Sequence, residues 1–463
     1  MVSIRRFKKS IGRILPDSAK TPVGRIYNHA RTQQADRQFR PVALDQEGEG
    51  GGPRHVVCVV VDALRADAID VETTPFLTSL TGTNAVTPAS WTFPAVSSIV
   101  TGQYPHEHGA IRQSDDPYNA TASEITLPPP MPADIHTLPE LLGGIGCETY
   151  GSFAFEMPFL ALSGRFGRHA LYQNMPAATV LDDHHSWLAD RFDDRTFSYI
   201  HLNDLHQPVS PPEEYTRRFG VDTSIKGLSK WRYTAETELD GDVAEYVEHR
   251  QRLYRAAARY VDDFLAAYYR SITNGLETDV TLIVTGDHGE GFWEHAALDA
   301  EHFVDSRPAY CVGHGGTPYE SVTQVPLIVD GLSLNGFDSN GPVSLIDIAP
   351  TILEAVGVTE AGGTTGRSLF NDVPSDRTVL TEAARYGYEK KAVYYEGWKR
   401  ILSEGDDTSL GFSIPAERVT EIPPEIEAVM TDALPTWPDV DGTAPEQKVP
   451  KTVERRLEQL GYK

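Results

Sequence analysis

The run VVCVVV, Val56 to Val61, followed at once by Asp62, constrains this chain more than any other segment. Apolar, mostly β-branched residues without polar alternation describe a strand buried on both faces, the habit of parallel sheets covered by helices. The form recurs. TFSYIHLND ends in Asp204, DVTLIVTGDHGE leads into Asp287 and His288, and VPLIV spans Val325 to Val329. Helical patterns lie between them, such as LYRAAARYVDDFLAAYYRSI from Leu253 to Ile272 and DIAPTILEAVGV from Asp347 to Val358. The alternation predicts an α/β fold whose mostly parallel central sheet is sandwiched by helices. Ligands of such sheets bind outside the carboxyl ends of the strands, so Asp62, Asp204, Asp287 and His288 are expected on one rim.

The segment TVLTEAARYGYEKKAVYYEGWKRILSE offers two antiparallel strands around Tyr394, the sign of a small C-terminal α+β subdomain. A Pro-rich acidic tail follows and ends in VERRLEQLGYK, which reads as a closing helix. The expected division is a basic, partly helical leader at 1–50, a catalytic domain at 51–372, and a C-terminal subdomain with tail at 373–463. In the leader, IRRFKKSIGRIL reads either as a short amphipathic helix for weak membrane-surface or partner contact, or as a solvated segment. No apolar h-region follows its basic residues, and no apolar run is long enough to span a bilayer, so a cytoplasmic location is expected. The formal charge of -25, from 66 Asp+Glu against 41 Lys+Arg, repels nucleic-acid polymers and suits a dispersed protein, as in high salt. The three cysteines, Cys58, Cys147 and Cys311, have neither metal-ligand spacing nor a disulfide framework.

Chemistry concentrates in three loops. Asp287 and His288 sit between a buried strand and two glycines, a carboxylate–imidazole pair suited to zinc or manganese, with calcium or magnesium as further candidates. Asp62 adds a second carboxylate. His295 and His314 follow, the latter in GHGG, and NDLHQP adds Asp204 and His206; four of the chain's 15 histidines thus lie in these loops. That gathering points to a site for one or two divalent ions. Thr92, in SWTFPAVSSIVTGQYPHEHG, reads as lying just before a helix that Pro94 opens. There it serves as an N-terminal cap, as a nucleophile favoured by the helix's positive end, or as both.

Together these stretches resemble the alkaline phosphatase/sulfatase superfamily over roughly residues 55 to 410. VDALRADAIDVETTPFLTSL is similar to the family's opening strand, and the resemblance makes Asp62 its first metal ligand. GDHGEGFWEH followed by GHGGTPYESVTQVPLIV is similar to the late metal segment. It implies Asp287 and His288 as ligands, with His295 and His314 contacting the substrate anion or a second metal. LHQPVSPP resembles the mid-chain loop, where His206 would touch the anion and Asp204 would serve a second metal. SLIDIAPTILEAVGV and GRSL resemble the flank after the active site. The departure is at the nucleophile. Type I sulfatases carry Cys-x-Pro-x-Arg or Ser-x-Pro-x-Arg, whose first residue becomes formylglycine. Here Thr92 and Val96 stand at the first and last positions of that motif. Threonine cannot yield the aldehyde, and TFPAVSSIVTGQYPHEHG instead resembles the nucleotide pyrophosphatase/phosphodiesterase branch.

The resemblance implies a metal-dependent phosphoester or phosphodiester hydrolase working through a covalent threonyl intermediate, on a small or glycan- or lipid-linked anionic ester. A sulfuric ester hydrolase that uses threonine directly is the nearest rival. A phospho-group transferase and a non-catalytic binding protein are the others.

Overall fold

A computed structural model describes residues 22–44, 52–111, 126–276, 279–358, 363–414, 417–435 and 447–460. The IRRFKKSIGRIL segment lies outside the described residues, as does most of the stretch from Ser114 to Leu127. Among the described residues no helix is long and apolar enough to cross a membrane.

The central sheet has eight strands: β1 (His55–Val61), β2 (Gly82–Val86), β3 (Glu148–Phe153), β4 (Arg168–Leu171), β5 (Thr196–Leu202), β6 (Val280–Thr285), β7 (Gln324–Asp330) and β8 (Val343–Ser344). Their spatial order is β8-β2-β7-β6-β1-β5-β3-β4. All run parallel except β7, which is antiparallel to both β6 and β2. The expected strand VPLIV is thus present but reversed in direction. An apolar run records burial on two faces and carries no sign of direction.

β1 shows why the sheet needs cover on both sides. Val57, Val59 and Val61 enter one apolar core, whereas Val56, Cys58 and Val60 enter the other. Each fully buried valine contributes roughly 1.5–3 kcal/mol relative to an exposed one. The covering helices include α1 (Pro22–Gln38), α2 (Thr92–Thr101), α3 (Ala177–Ala189), α4 (Gly241–Leu276) and α5 (Ile348–Ala355). α4 runs 36 residues and contains the predicted Leu253–Ile272 helix. α1 lies along the outermost strand, where the Asn28 side-chain amide donates to the Leu171 carbonyl and Asp36 accepts from the His169 amide. The predicted closing helix is α6 (Lys451–Gln459).

The C-terminal subdomain is an antiparallel sheet of five strands in sequential order: β9 (Val379–Thr381), β10 (Lys391–Tyr395), β11 (Trp398–Ser403), β12 (Thr408–Ser413) and β13 (Arg418–Val419). It grips the segment that leads to α2. The Thr381 hydroxyl donates to the Thr87 carbonyl, the Glu382 amide to the Pro88 carbonyl, and the Trp91 indole to the Ala383 carbonyl.

A buried ion pair anchors this grip. Lys391 and Glu382 are each 1% exposed, and the ammonium donates to a carboxylate whose other oxygen accepts from the His106 amide and ring. Burial pushes the Glu382 carboxyl up, but Lys391 and His106 outweigh it and hold it at about 2. Its contribution to stability is therefore full above the ordinary glutamate value and fades as pH falls toward 2. Lys391→Met should destabilise the fold by about 3–5 kcal/mol, because it strands a buried carboxylate. Denaturant melts of the variant at neutral pH read this directly, and a change under 1 kcal/mol would remove the anchor from the account.

Candidate metal centre

Because β5, β1 and β6 are adjacent and parallel, their carboxyl ends deliver side chains to one spot. Val61 pairs with Leu202 and Val60 with Thr285, so Asp62 and Asp287 leave the sheet side by side. Asp62, Asp287 and His288 are 0% exposed, and each offers one atom within 4.8 Å of the others. Among the described residues this is the one cluster of three such ligands.

The local backbone builds the centre. Ala63 takes a left-handed φ of 62°, and its amide donates to Asp287 Oδ1 at 3.3 Å. The His288 amide donates to the same oxygen at 3.0 Å. With its Nδ1–H directed at the Gly289 carbonyl, 2.8 Å away, His288 turns the Nε2 lone pair inward. That nitrogen lies 3.6 Å from Asp62 Oδ1 and 3.5 Å from Asp287 Oδ2. These two oxygens are buried with no hydrogen-bond partner. Two facing carboxylates, each with an orphaned oxygen, and one inward imidazole fit a divalent cation, which would satisfy all three.

The electrostatics agree. Burial, then the facing Asp287, raises the Asp62 carboxyl well above the usual range. Burial acts the same way on Asp287, but His288, His201 and His314 more than offset it and leave this carboxyl low. His288 is raised: burial opposes its proton, yet Asp287 and Asp62 prevail. The two acids compete for countercharge that the protein alone does not fully supply.

Thr92 joins the cluster. Its hydroxyl lies 3.4 Å from Asp62 Oδ2 and 3.2 Å from His288 Nε2. It is the first residue of α2, not the residue before it; the cap position belongs to Trp91, in extended conformation with φ −157° and ψ 164°. No side-chain capping bond forms at this end, and the hydroxyl is directed at Asp62 and His288. Pro94 sits in the first turn, where its lacking N–H costs no helical bond.

His206 and His314 stand nearby. The His314 ring lies 4.1 Å from that of His288 and 5.0 Å from that of His206. His314 Nδ1 is 2.8 Å from Glu290 Oε1, and His206 Nδ1 is 2.8 Å from the Gln207 carbonyl. Burial, then neighbouring His314, lowers His206 to about 3. Burial, then His288, also puts His314 well below the ordinary value. Both are neutral at pH 7.

Two expected site residues lie elsewhere. Asp204 does not join the cluster. Both of its oxygens accept from the Ala177 amide, at 3.0 and 3.2 Å, at the start of α3. The first turn of a helix carries N–H groups with no intrahelical partner and draws a carboxylate to it. His295 turns toward the C-terminal subdomain, with Nε2 2.9 Å from Glu417 Oε2 and its ring stacked on Tyr319. We expect Asp204→Ala to cost about 0.5–2 kcal/mol, as loss of a helix-end acceptor does. Metal content per chain should not change. A lost ion in that variant, measured by elemental analysis, would return Asp204 to the centre.

Two further residues at the centre lie outside the expected set. His201, inside β5, places Nε2 3.3 Å from Asp62 Oδ2 and Nδ1 3.0 Å from the Tyr199 hydroxyl. Glu290 is fully buried and holds His314. Its position within GDHGE was the available signal, whereas His201 looks like any histidine within a buried strand.

The sequence profile of the sulfatase family matches residues 54–358. The chain belongs to the sulfatase family. As a sulfatase-family protein it is an enzyme of the alkaline phosphatase/sulfatase superfamily, with Asp62, Asp287 and His288 as a cluster competent to bind metal. It is similar to the uncharacterized sulfatase YidJ of Escherichia coli (strain K12), 22% identical over 217 residues, which cover 43% of this chain and 39% of that relative. The fold resembles that of BT4656, solved in complex with its substrate D-glucosamine-2-N,6-O-disulfate (TM-score 0.60, 15% identity, 79% of this chain and 92% of that one). It also resembles the phosphonate monoester hydrolase SpPMH from Silicibacter pomeroyi (TM-score 0.58, 16% identity, 82% and 93%).

Proposed function

We propose that this chain is a single-metal hydrolase of a singly charged sulfate ester on a glycan, with Thr92 as the direct nucleophile. One observation carries the reading: the described residues bring together one ligand cluster, while Asp204 is spent at the start of α3. A sulfate monoester carries one negative charge and a phosphate monoester up to two, so a single-cation centre matches the former. The substrate of the structural relative BT4656, D-glucosamine-2-N,6-O-disulfate, supports a sulfated sugar as the substrate class.

Asp62, Asp287, His288 and Thr92 would hold the ion, and this mixed oxygen and nitrogen set suits zinc or manganese. When bound there, the ion supplies Lewis-acid charge at the nucleophile and at the ester's nonbridging oxygens. Thr92 Oγ1 loses its proton to solvent and attacks sulfur; an O–S bond forms as the bond to the sugar oxygen breaks. The departing sugar oxygen takes a proton from an imidazole, His206 or His314, whose proton affinity rises once the anionic ester is beside it. Water, deprotonated at the same nitrogen, then releases sulfate and restores the threonine. The Gln207 carbonyl and Glu290 accept from the Nδ1–H of His206 and His314, so in both rings Nε2 is the nitrogen that takes up and passes on the transferred proton.

A second reading is favoured by the threonine itself and by the likeness to SpPMH: a singly charged phosphodiester or phosphonate monoester would pass through the same steps. A screen of nitrophenyl sulfate, phosphate mono- and diesters and a phosphonate, each against zinc, manganese, calcium and magnesium, separates them. Sulfate turnover well above diester and phosphonate turnover supports the proposal; the reverse order replaces it with the second reading.

A further inference from the structure

A cavity of about 360 Å³ opens beside the metal centre at the same end of the sheet. Phe155 forms the shared wall. It lines the cavity, and its ring lies 5.6 Å from that of His201 and 5.8 Å from that of His206. The far wall comes from α6, whose Arg456 pairs with Glu156 and thereby holds the end of the chain against the segment after β3. The volume lies within the roughly 300–1,000 Å³ range of small-molecule sites.

The wall chemistry selects a ligand. Tyr172, Tyr260 and prolines 176, 208 and 211 present flat apolar surface. Asn174, Asn203, Asp204 and Ser210 add hydrogen-bonding groups among them. Flat apolar faces next to amide, hydroxyl and carboxylate groups match a sugar ring, which has apolar C–H faces and a polar edge. Charge narrows the choice. Arg456, the one cationic side chain among the described lining residues, is already paired with Glu156 and bonded to Asn28, and burial raises the Asp204 carboxyl to about 7, so the wall offers amide, hydroxyl and carboxyl groups and no unengaged cation for a second anionic group. Asn174, whose carbonyl accepts from the Asn203 amide, holds a left-handed φ of 54° in this wall.

We propose that this cavity is a subsite for an uncharged sugar ring, the one adjoining the ring that carries the ester. The assignment deepens the glycan reading above and rests on it for the ester's identity, but ring binding is measurable without hydrolysis. Two variants probe it: Ser210→Trp, at an exposed wall position, fills the space, and Asn174→Gly removes the side-chain amide at a left-handed φ that glycine also adopts. The probe is an unsulfated glucosamine disaccharide, titrated by NMR and calorimetry into the metal-loaded protein. We expect the wild type to bind it and both variants to bind at least tenfold more weakly. The ratio of kcat/KM for a sulfated oligosaccharide over nitrophenyl sulfate should fall by a similar factor. Equal binding by wild type and variants, or no binding by the wild type, overturns the subsite. Binding that the variants lose, in a wild type that cleaves no sulfate ester, would support the subsite while sinking the sulfate reading.

Discussion

Thr92→Ala lowers turnover on the order of 10⁴-fold or more, the scale on which removing a nucleophile acts when its partners remain. The bound ion stays, because Asp62, Asp287 and His288 are contributed by β-strand ends and not by α2. Thr92→Ser should keep most of the activity, since the hydroxyl remains at the same helix position. The contrast separates chemistry from architecture. Thr92 is 0% exposed, so alanine there loses a hydroxyl among acids and little apolar contact. Activity in Thr92→Ala within tenfold of wild type would mean that water attacks the ester directly.

The second large effect concerns the acids. In Asp62→Asn, one of two buried carboxylates that share a single countercharge becomes neutral. The metal-free variant should therefore melt higher than the metal-free wild type, although a ligand has been removed. Metal reverses the ranking. At an ion concentration of about 1,000 times Kd the wild type gains about 4 kcal/mol by mass action, whereas the variant gains far less. Turnover should drop at least about 100-fold, the upper end of what losing even an outer-shell metal partner costs. Thermal melts with and without zinc or manganese measure both halves. If Asp62→Asn melts lower than wild type without metal, the paired carboxylates are structural acids and not a poised cation site.

The sequence reveals some of this centre and hides the rest, for physical reasons. β1 and β6 are legible because both faces are buried and the apolar run stops at a charged residue; Asp62 and Asp287 follow at once. β3 (ETYGSF) and β4 (RHAL) are not, because polar and small residues interrupt them near the edge of the sheet. The C-terminal subdomain shows two strands by pattern, yet five form, since the pairing partners of β9 and β13 are set by tertiary contact. Asp204 and His295 sit in loops that resemble ligand loops, and their real partners are far along the chain. Ala177 lies 27 positions before Asp204, and Glu417 lies 122 positions after His295. No local pattern encodes such a meeting. His201 is hidden for the opposite reason: a strand buried on both faces gives no cue that one of its side chains reaches the rim.

The central claim is that a bond forms between Thr92 and the transferred group. The most direct measurement mixes metal-loaded protein with an excess of the best ester from the screen, quenches it in acid within the first turnover, and maps the peptides by mass spectrometry. The account predicts one transferred sulfuryl group on the peptide WTFPAVSSIVT, located at Thr92. A full burst of released alcohol with Thr92 unmodified, or with the group on a histidine, would contradict it.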